Sequence, residues 1–494
     1  MKIAFGMIVF EGDCVLKQCL EAVYPYASQI LIAEGPVKYW QDKGRTTSTD
    51  KTNAILSAFP DPDNKIKITH GQFAEKDDQC NAYMQDMADD TDYLWNLDSD
   101  EIYKPEDIEK IIKVLEVHKP TTVGLRSFAF FGDLEHNLTG FELNYDAQRI
   151  FKVYPGCRWL KHRPPTIEWP EGTHLKHITA QKMFAQWGVQ MYHYSYCFPR
   201  QVKNKIGYYK EAVSKEFCID DYWSTVFLPW ITRPQERKAI EKAHNGVHEF
   251  VHTYRGDCYT EAFRGEHPES IKAIYKDLEA EIKRQLEEII KPSWATDKRV
   301  SEMQHRLNQR EFYGDNCRPK HWTWFQDTLD ELCKAKPVES LLDIGCGSGV
   351  YSLLIQERHK EIQYTGIDYA AYCIDLARSH YLGSVFKVMD YKDLTRDYVA
   401  QFDVVNCCAL HVCLPDADEA MEFFINELRP KTLILSKIYT TDKPSFYTVE
   451  TAYTTKTFNF RHNKRRLERL FYREYNHRWH LIGAGIYNIL LTLR

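Results

Sequence analysis

Nowhere in its 494 residues does this chain hold the run of about eighteen apolar residues that a membrane-spanning helix requires. It has no Cys-x-x-Cys pair, no low-complexity tract and no internal repeat, which excludes zinc ribbons, dithiol redox motifs and solenoids. No secretory leader is expected from the opening residues. The opening Lys2-Ile3-Ala4-Phe5-Gly6-Met7-Ile8-Val9 reads as a strand, without an apolar core and small-residue cleavage site. The fourteen cysteines stand singly or as Cys407-Cys408 and read as reduced core thiols. A cytoplasmic protein is the expectation, with the sequon Asn137-Leu138-Thr139 a coincidence. Basic excess is absent: a net charge of −6 and a pI of 6.4 leave no footprint for nucleic acid or an anionic membrane surface. What is present is apolar content of 44%, ample for sizeable cores, over a length that suits two to four domains.

The densest signal is Leu341-Leu342-Asp343-Ile344-Gly345-Cys346-Gly347-Ser348-Gly349, an apolar strand running into alternating glycines. Glycines there let the backbone turn sharply and present amides to a ligand at the start of the next helix. A dinucleotide fingerprint would put its third glycine at Val350, so the spacing argues against NAD or FAD. A second strand, Tyr364 to Asp368, ends in a carboxylate nineteen residues beyond Gly349, where a doubly wound fold offers an acid to ribose hydroxyls. A third, Val385 to Met389, ends in Asp390 and Tyr391, a carboxylate and a ring suited to adenine. A fourth, Phe402 to Cys408, carries Asn406 and opens into Ala409-Leu410-His411. Residues 313–494 thus resemble the class I S-adenosylmethionine-dependent methyltransferases. The resemblance implies a Rossmann-like fold and S-adenosylmethionine as cofactor. It gives Asp343, Gly345, Gly347 and Gly349 as first motif, Asp368 as ribose acid, and Asp390, Tyr391 and Asn406 as further cofactor contacts.

Between His267-Pro268 and Lys291-Pro292, apolar residues recur at Ile271, Ile274, Leu278, Ile282, Leu286 and Ile289, which predicts an amphipathic helix. The polar stretch from Ser293 to Arg310 reads as linker. The expected division is 1–265, a helical linker over 266–312, and 313–494.

In the N-terminal part, Tyr93-Leu94-Trp95-Asn96-Leu97-Asp98-Ser99-Asp100-Glu101 is a strand delivering two carboxylates with one residue between them. Residues two apart share a face of a strand, so Asp98 and Asp100 point towards one hard cation, manganese or magnesium, which in turn binds a diphosphate. Upstream, Ile30 to Gly35 is a strand ending in Glu34, followed by an irregular stretch and Ser48-Thr49-Asp50-Lys51-Thr52. A third strand ends near His70, and a helix carries Asn81. This order resembles the family 2-like glycosyltransferases of the GT-A fold over about residues 1–265. The resemblance implies an α/β fold, a nucleotide-sugar donor and a glycan acceptor. It places Phe10, Glu34, Asp50, Asn81 and Asp98 at the donor, with His193 in Met191-Tyr192-His193-Tyr194-Ser195-Tyr196 as a further metal ligand.

Two departures stand out: Phe10-Glu11-Gly12-Asp13 replaces the usual Asn-Glu pair, and Pro36 to Thr47 is an insertion. That insertion, with Trp40, Lys43 and Arg45, is either a strap over a diphosphate or a surface loop. An inverting transferase needs a base at the acceptor hydroxyl. After Arg149-Ile150-Phe151 the chain has Lys161-His162-Arg163-Pro164, without the acid relatives carry there, which leaves Glu168, Glu171, Asp220 and Asp221 as candidates. For the methyl transfer the candidate base is His411, just past the fourth strand. The two halves together read as a bifunctional enzyme that transfers a sugar and O-methylates the saccharide. The alternative is a glycan-binding, inactive glycosyltransferase module fused to a methyltransferase acting on glycan, protein or metabolite.

Overall fold

The computed structural model describes residues 1–212, 221–248, 258–289, 298–314, 318–414, 417–452 and 455–494. The chain forms two compact units: 1–231 with 236–286, and 232–235 with 287–494.

The N-terminal unit is built on a seven-stranded sheet. Its parallel part runs β3 (Ile66–His70), β2 (Gln29–Glu34), β1 (Ile3–Val9), β4 (Tyr93–Asp98). β1, β2 and β4 are almost continuous apolar runs because helices cover both faces of such a sheet, and they are buried nearly throughout. Phe5 stacks on Trp95 with ring centroids 5.1 Å apart, tying β1 to β4. A smaller sheet starts where the first ends. Asp98 closes β4, Ser99-Asp100 turn, and β5 (Glu101–Ile102) leaves to pair antiparallel with β13 (Met191–Tyr196), setting Glu101 opposite His193. β9 (Ala147–Lys152) lies antiparallel beside β4 in the large sheet.

The C-terminal unit is an open sheet in the order Val385–Val388, Gln363–Asp368, Ser340–Ile344, Val404–Cys408, Thr432–Thr441, Ile486–Leu493, Tyr475–Gly483. The first five are parallel and Ile486–Leu493 runs antiparallel. Strand order reverses beside Ser340–Ile344, which puts its glycine turn at the switch point where doubly wound sheets take ligands.

The stretch 266–312, expected as a helical linker, is divided between the two units. Ile271, Leu278 and Ile282 are buried in the N-terminal core, so that unit extends to residue 286. The polar stretch after Ser293 is helical over Lys298–Tyr313, with Val300, Ser301 and His305 buried; His305 lies 4.3 Å from His380, centroid to centroid. Four or so inward positions suffice to dock a helix whose remaining surface is polar, which is why composition alone suggested a linker. Among the described residues no helix is long and apolar enough to cross a membrane.

Candidate active sites

In the N-terminal unit a cleft opens at the carboxyl ends of β1 and β4, with Asp98, Asp100 and His193 on one wall. The pairing of β5 with β13 brings this late histidine to the acids: His193 Nε2 is 3.2 Å from Asp100 Oδ1. Gln201 Nε2 donates to Asp100 Oδ2 at 2.6 Å. Arg149, on β9, reaches Asp98 Oδ2 at 3.1 Å and donates through Nε to Glu101 Oε1 at 2.9 Å. Burial pushes the pKa of Asp98 up, but Arg149, His162 and His193 outweigh it and hold the acid well below the usual carboxylate range. Asp100 is lowered in the same contest between burial and His193, whereas burial wins at Glu101, which lies above its ordinary value.

Ligand atoms of Asp98, Glu101 and His193 fall within 4.8 Å of one another, a spacing that fits a divalent cation. Glu101 is fully buried and engaged by Arg149, so the donors that face the cleft are Asp98, Asp100 and His193. Arg149 and Glu101 were missed from the sequence as site residues. The acid after Asp-x-Asp and the Arg-x-Phe strand were visible, but nothing local says that they meet.

Several residues expected at the donor have partners within the protein. Glu34 is 1% exposed, and its carboxylate accepts from Ser48 N at 3.1 Å and meets His70 Nδ1 at 3.0 Å. Asp50 spends both oxygens on backbone amides, those of Thr52 at 2.9 Å and Asp13 at 3.2 Å. The Ser-Thr-Asp-x-Thr turn also receives Glu11 N on Ser48 Oγ and Gly12 N on Thr52 Oγ1, so its polar groups staple the loop after β1. Asn81 clasps the backbone of Trp159 from both ends of its amide, at 3.0 and 2.9 Å. Of the insertion, Trp40 lines the cleft beside Phe10, with centroids 5.8 Å apart, while Lys43 and Arg45 pair with Glu211 and Glu11.

None of the three described candidate bases lines the cleft: Glu171 sits in an exposed turn, Asp221 in the turn before a separate helix, and Glu168 pairs with Arg158 across a hairpin. Asp220 lies outside the described residues. The cleft's lining also includes Lys76, His162, Arg163 and Lys205, from three separate parts of the chain.

In the C-terminal unit the turn 345–349 holds all three glycines at positive φ, +72°, +53° and +83°. A Cβ on Gly349 would strike the Phe386 ring at 2.7 Å, whereas one on Gly347 would meet nothing within 4 Å. Gly349 thus serves close packing, and Gly347 lies against open space. Asp368 accepts from Gly347 N and Ala370 N, each at 2.9 Å, which leaves a lone pair on each oxygen. Its pKa is raised by burial. Asp390 caps the turn after its strand, accepting from Lys392 N at 3.0 Å.

Four of the residues expected at this site are buried. Asp343 and Asn406 point inward: Asp343 accepts from Tyr364 OH at 2.6 Å and Asn406 Nδ2 at 2.7 Å, and burial drives it up to about 7. Both serve to pin three strands together beneath the glycine turn. Tyr391 is buried, its ring packed against Phe424 at 5.8 Å. His411 is 0% exposed, edge-on to Phe424 at 4.9 Å, and burial with the neighbouring His462 holds it down at about 3. Enclosed this way, its ring presents no face to a methyl acceptor.

Residues 46–160 match the family model described as glycosyl transferase family 2, and residues 341–431 match one described as a methyltransferase domain. Solved structures similar to this chain include CalS10, an amino pentose methyltransferase of Micromonospora echinaspora with S-adenosylmethionine bound. It is 15% identical, covering 38% of this chain and 96% of its own, with a TM-score of 0.30. The plantazolicin methyltransferase BpumL with S-adenosylhomocysteine is 17% identical, with 45% and 99% covered and a TM-score of 0.30. Magnesium protoporphyrin IX methyltransferase of Synechocystis with S-adenosylmethionine is 16% identical, with 42% and 94% covered and a TM-score of 0.28.

Proposed function

We propose that this chain, which joins a family 2 glycosyltransferase domain to a class I methyltransferase domain, transfers a sugar from a nucleotide diphosphate and O-methylates the resulting saccharide in the cytoplasm. The observation that carries the reading is the convergence of Asp98, Asp100 and His193 on one cleft at the strand ends. Two carboxylates and an imidazole would hold manganese or magnesium, and such a cation neutralises charge on a departing diphosphate. Arg149 keeps Asp98 ionised at neutral pH, and Gln201 fixes the Asp100 carboxylate so that its free lone pairs face the cleft. Phe10 and Trp40 supply an aromatic edge for the nucleoside. In the other domain the open space at Gly347 and the Asp368 carboxylate beside it would take S-adenosylmethionine, whose sulfonium supplies the methyl group. Tethering two domains that act in sequence raises the effective concentration of the shared intermediate to roughly millimolar, which supports a saccharide as the methyl acceptor.

The test is product analysis of the full chain given a panel of nucleotide sugars and glycan acceptors, with and without manganese and S-adenosylmethionine. A glycan that gains a sugar only with the cation, and then a methyl group, is expected. Equal methylation of glycosylated and unglycosylated acceptor, or label on protein alone, would refute the coupling.

A further inference from the structure

One flank of the N-terminal unit differs from the rest of its surface. The strand His177–Ile178 is the margin of the large sheet opposite Ile66–His70, and the helices Pro105–His118 and Ala180–Trp187 meet beside it. Lys176 donates through Nζ to His118 O, and the His118 ring lies 5.5 Å from that of Trp187, centroid to centroid. Among the described residues of this unit six large apolar side chains are exposed, and three of them gather here: Val117 at 74%, Leu175 at 63% and Phe184 at 40%. Trp187 is half-buried beside them. Ala180 and Met183 dock the helix Ala180–Trp187 on the core, which leaves Phe184 outside it, its ring 4.2 Å from the Arg126 guanidinium.

Charge is local on this flank too. Over 113–119 and 174–187 the chain has four lysines, Lys113, Lys119, Lys176 and Lys182, against one acid, Glu116, although in the whole chain 70 acids outnumber 64 Lys and Arg. All four lysines are exposed. Asp146, which reaches the flank from outside these segments, is engaged by His177 Nε2 at 2.6 Å and Ala180 N at 2.7 Å.

We infer that this flank is a docking surface for a lipid bilayer that carries anionic headgroups. Val117, Leu175 and Phe184 enter the boundary of the acyl region, Trp187 is the residue type that sits at headgroup level, and the lysines around them meet the negative surface. Contact of this kind takes exposed apolar area out of water. A second copy of the chain is disfavoured as occupant, because a two-fold contact would set the same lysines against one another. The net charge of −6 predicts no such attraction for the chain as a whole, but screening over about 8 Å leaves the outcome to the charges nearest the surface.

Sedimentation of the full chain with vesicles tests this, using phosphatidylcholine alone and phosphatidylcholine mixed with phosphatidylglycerol, at low and high salt. Wild type is expected to bind the mixed vesicles, more weakly at high salt, and to leave the neutral ones largely unbound. Lys119→Gln and Lys182→Gln should each weaken that binding about fivefold, the worth of one lysine at an anionic surface. Leu175→Ser should weaken it as well, whereas Leu382→Ser, at an exposed leucine of the C-terminal unit, should not. All four are surface positions, so melting temperatures should stay at the wild-type value. Wild type that fails to sediment with mixed vesicles refutes the docking surface, as does binding that Lys119→Gln, Lys182→Gln and Leu175→Ser leave unchanged. An equal loss in Leu382→Ser would refute its assignment to this flank. Capture by polyglutamate with none by vesicles would make the flank a site for an acidic protein and overturn the bilayer as its partner.

Discussion

Replacing Arg149 by methionine removes one charge from beneath the cleft while keeping most of the side-chain volume. In the native protein this guanidinium, 11% exposed, engages Glu101, which is 0% exposed, and Asp98, which is 23% exposed. Without it Glu101 becomes a buried carboxylate that has lost its main counter-charge, and breaking a buried pair in that way costs about 3–5 kcal/mol. The cost depends on pH with a definite sign. Burial already raises Glu101, and losing Arg149, its largest opposing influence, raises it further. A carboxylate whose folded pKa exceeds its unfolded value binds more protons when folded, so the variant loses stability as pH rises through that folded value. Urea unfolding of the N-terminal unit at about pH 8 and about pH 5.5 should therefore show the full deficit at the higher pH and a smaller one at the lower. Manganese should recover part of it at the higher pH, because a cation bound to the native acids stabilises by mass action. A midpoint unchanged to within about 0.5 kcal/mol at the higher pH, or a deficit that grows on acidification, would refute the account of Arg149 as the counter-charge of this site.

Asp368→Ala should weaken S-adenosylmethionine binding by about 1.5–3 kcal/mol per lost charged hydrogen bond, with nucleoside diphosphate affinity unchanged; equal loss of both in a folded variant would contradict two separate sites. Gly349→Ala, with Phe386 in the way, should lower the melting temperature, whereas Gly347→Ala, with open space, should chiefly reduce cofactor affinity; calorimetry and thermal melts of the two variants should dissociate. His411 is held at about 3 in the fold. Because the unfolded chain takes up that proton from about pH 6.5 downward, stability of the C-terminal unit should fall on acidification from there towards pH 3. In His411→Phe that slope should flatten, and an identical slope would show that the histidine is not buried neutral.

Much of the architecture could be read from one dimension. The apolar runs of β1, β2 and β4, the glycine turn 345–349 and the strand-end acids Asp98 and Asp368 are local patterns, set by which residues suit a doubly covered parallel strand or a sharp turn. Asp98 and Asp100 both line the cleft, Asp98 at the end of β4 and Asp100 in the turn that follows it. Orientation and partnership were decided elsewhere. Asp343 ends the same kind of strand as Asp368, yet the two neighbouring strands turn it to Tyr364 and Asn406 while Asp368 is left at the rim. Glu34 and Asp50 look like donor contacts until the loop after β1 arrives to take their oxygens or their neighbours'. Arg149 lies about fifty residues from Asp98 in sequence and meets it only because β9 enters the sheet antiparallel beside β4. His193 reaches Asp100 only because β5 crosses to a second sheet. Local sequence determined which groups stand at the strand ends, since hydrophobic period and turn chemistry are near-neighbour effects. Strand order and crossover decided which of those groups face one another, since that depends on pairings between residues far apart in the chain.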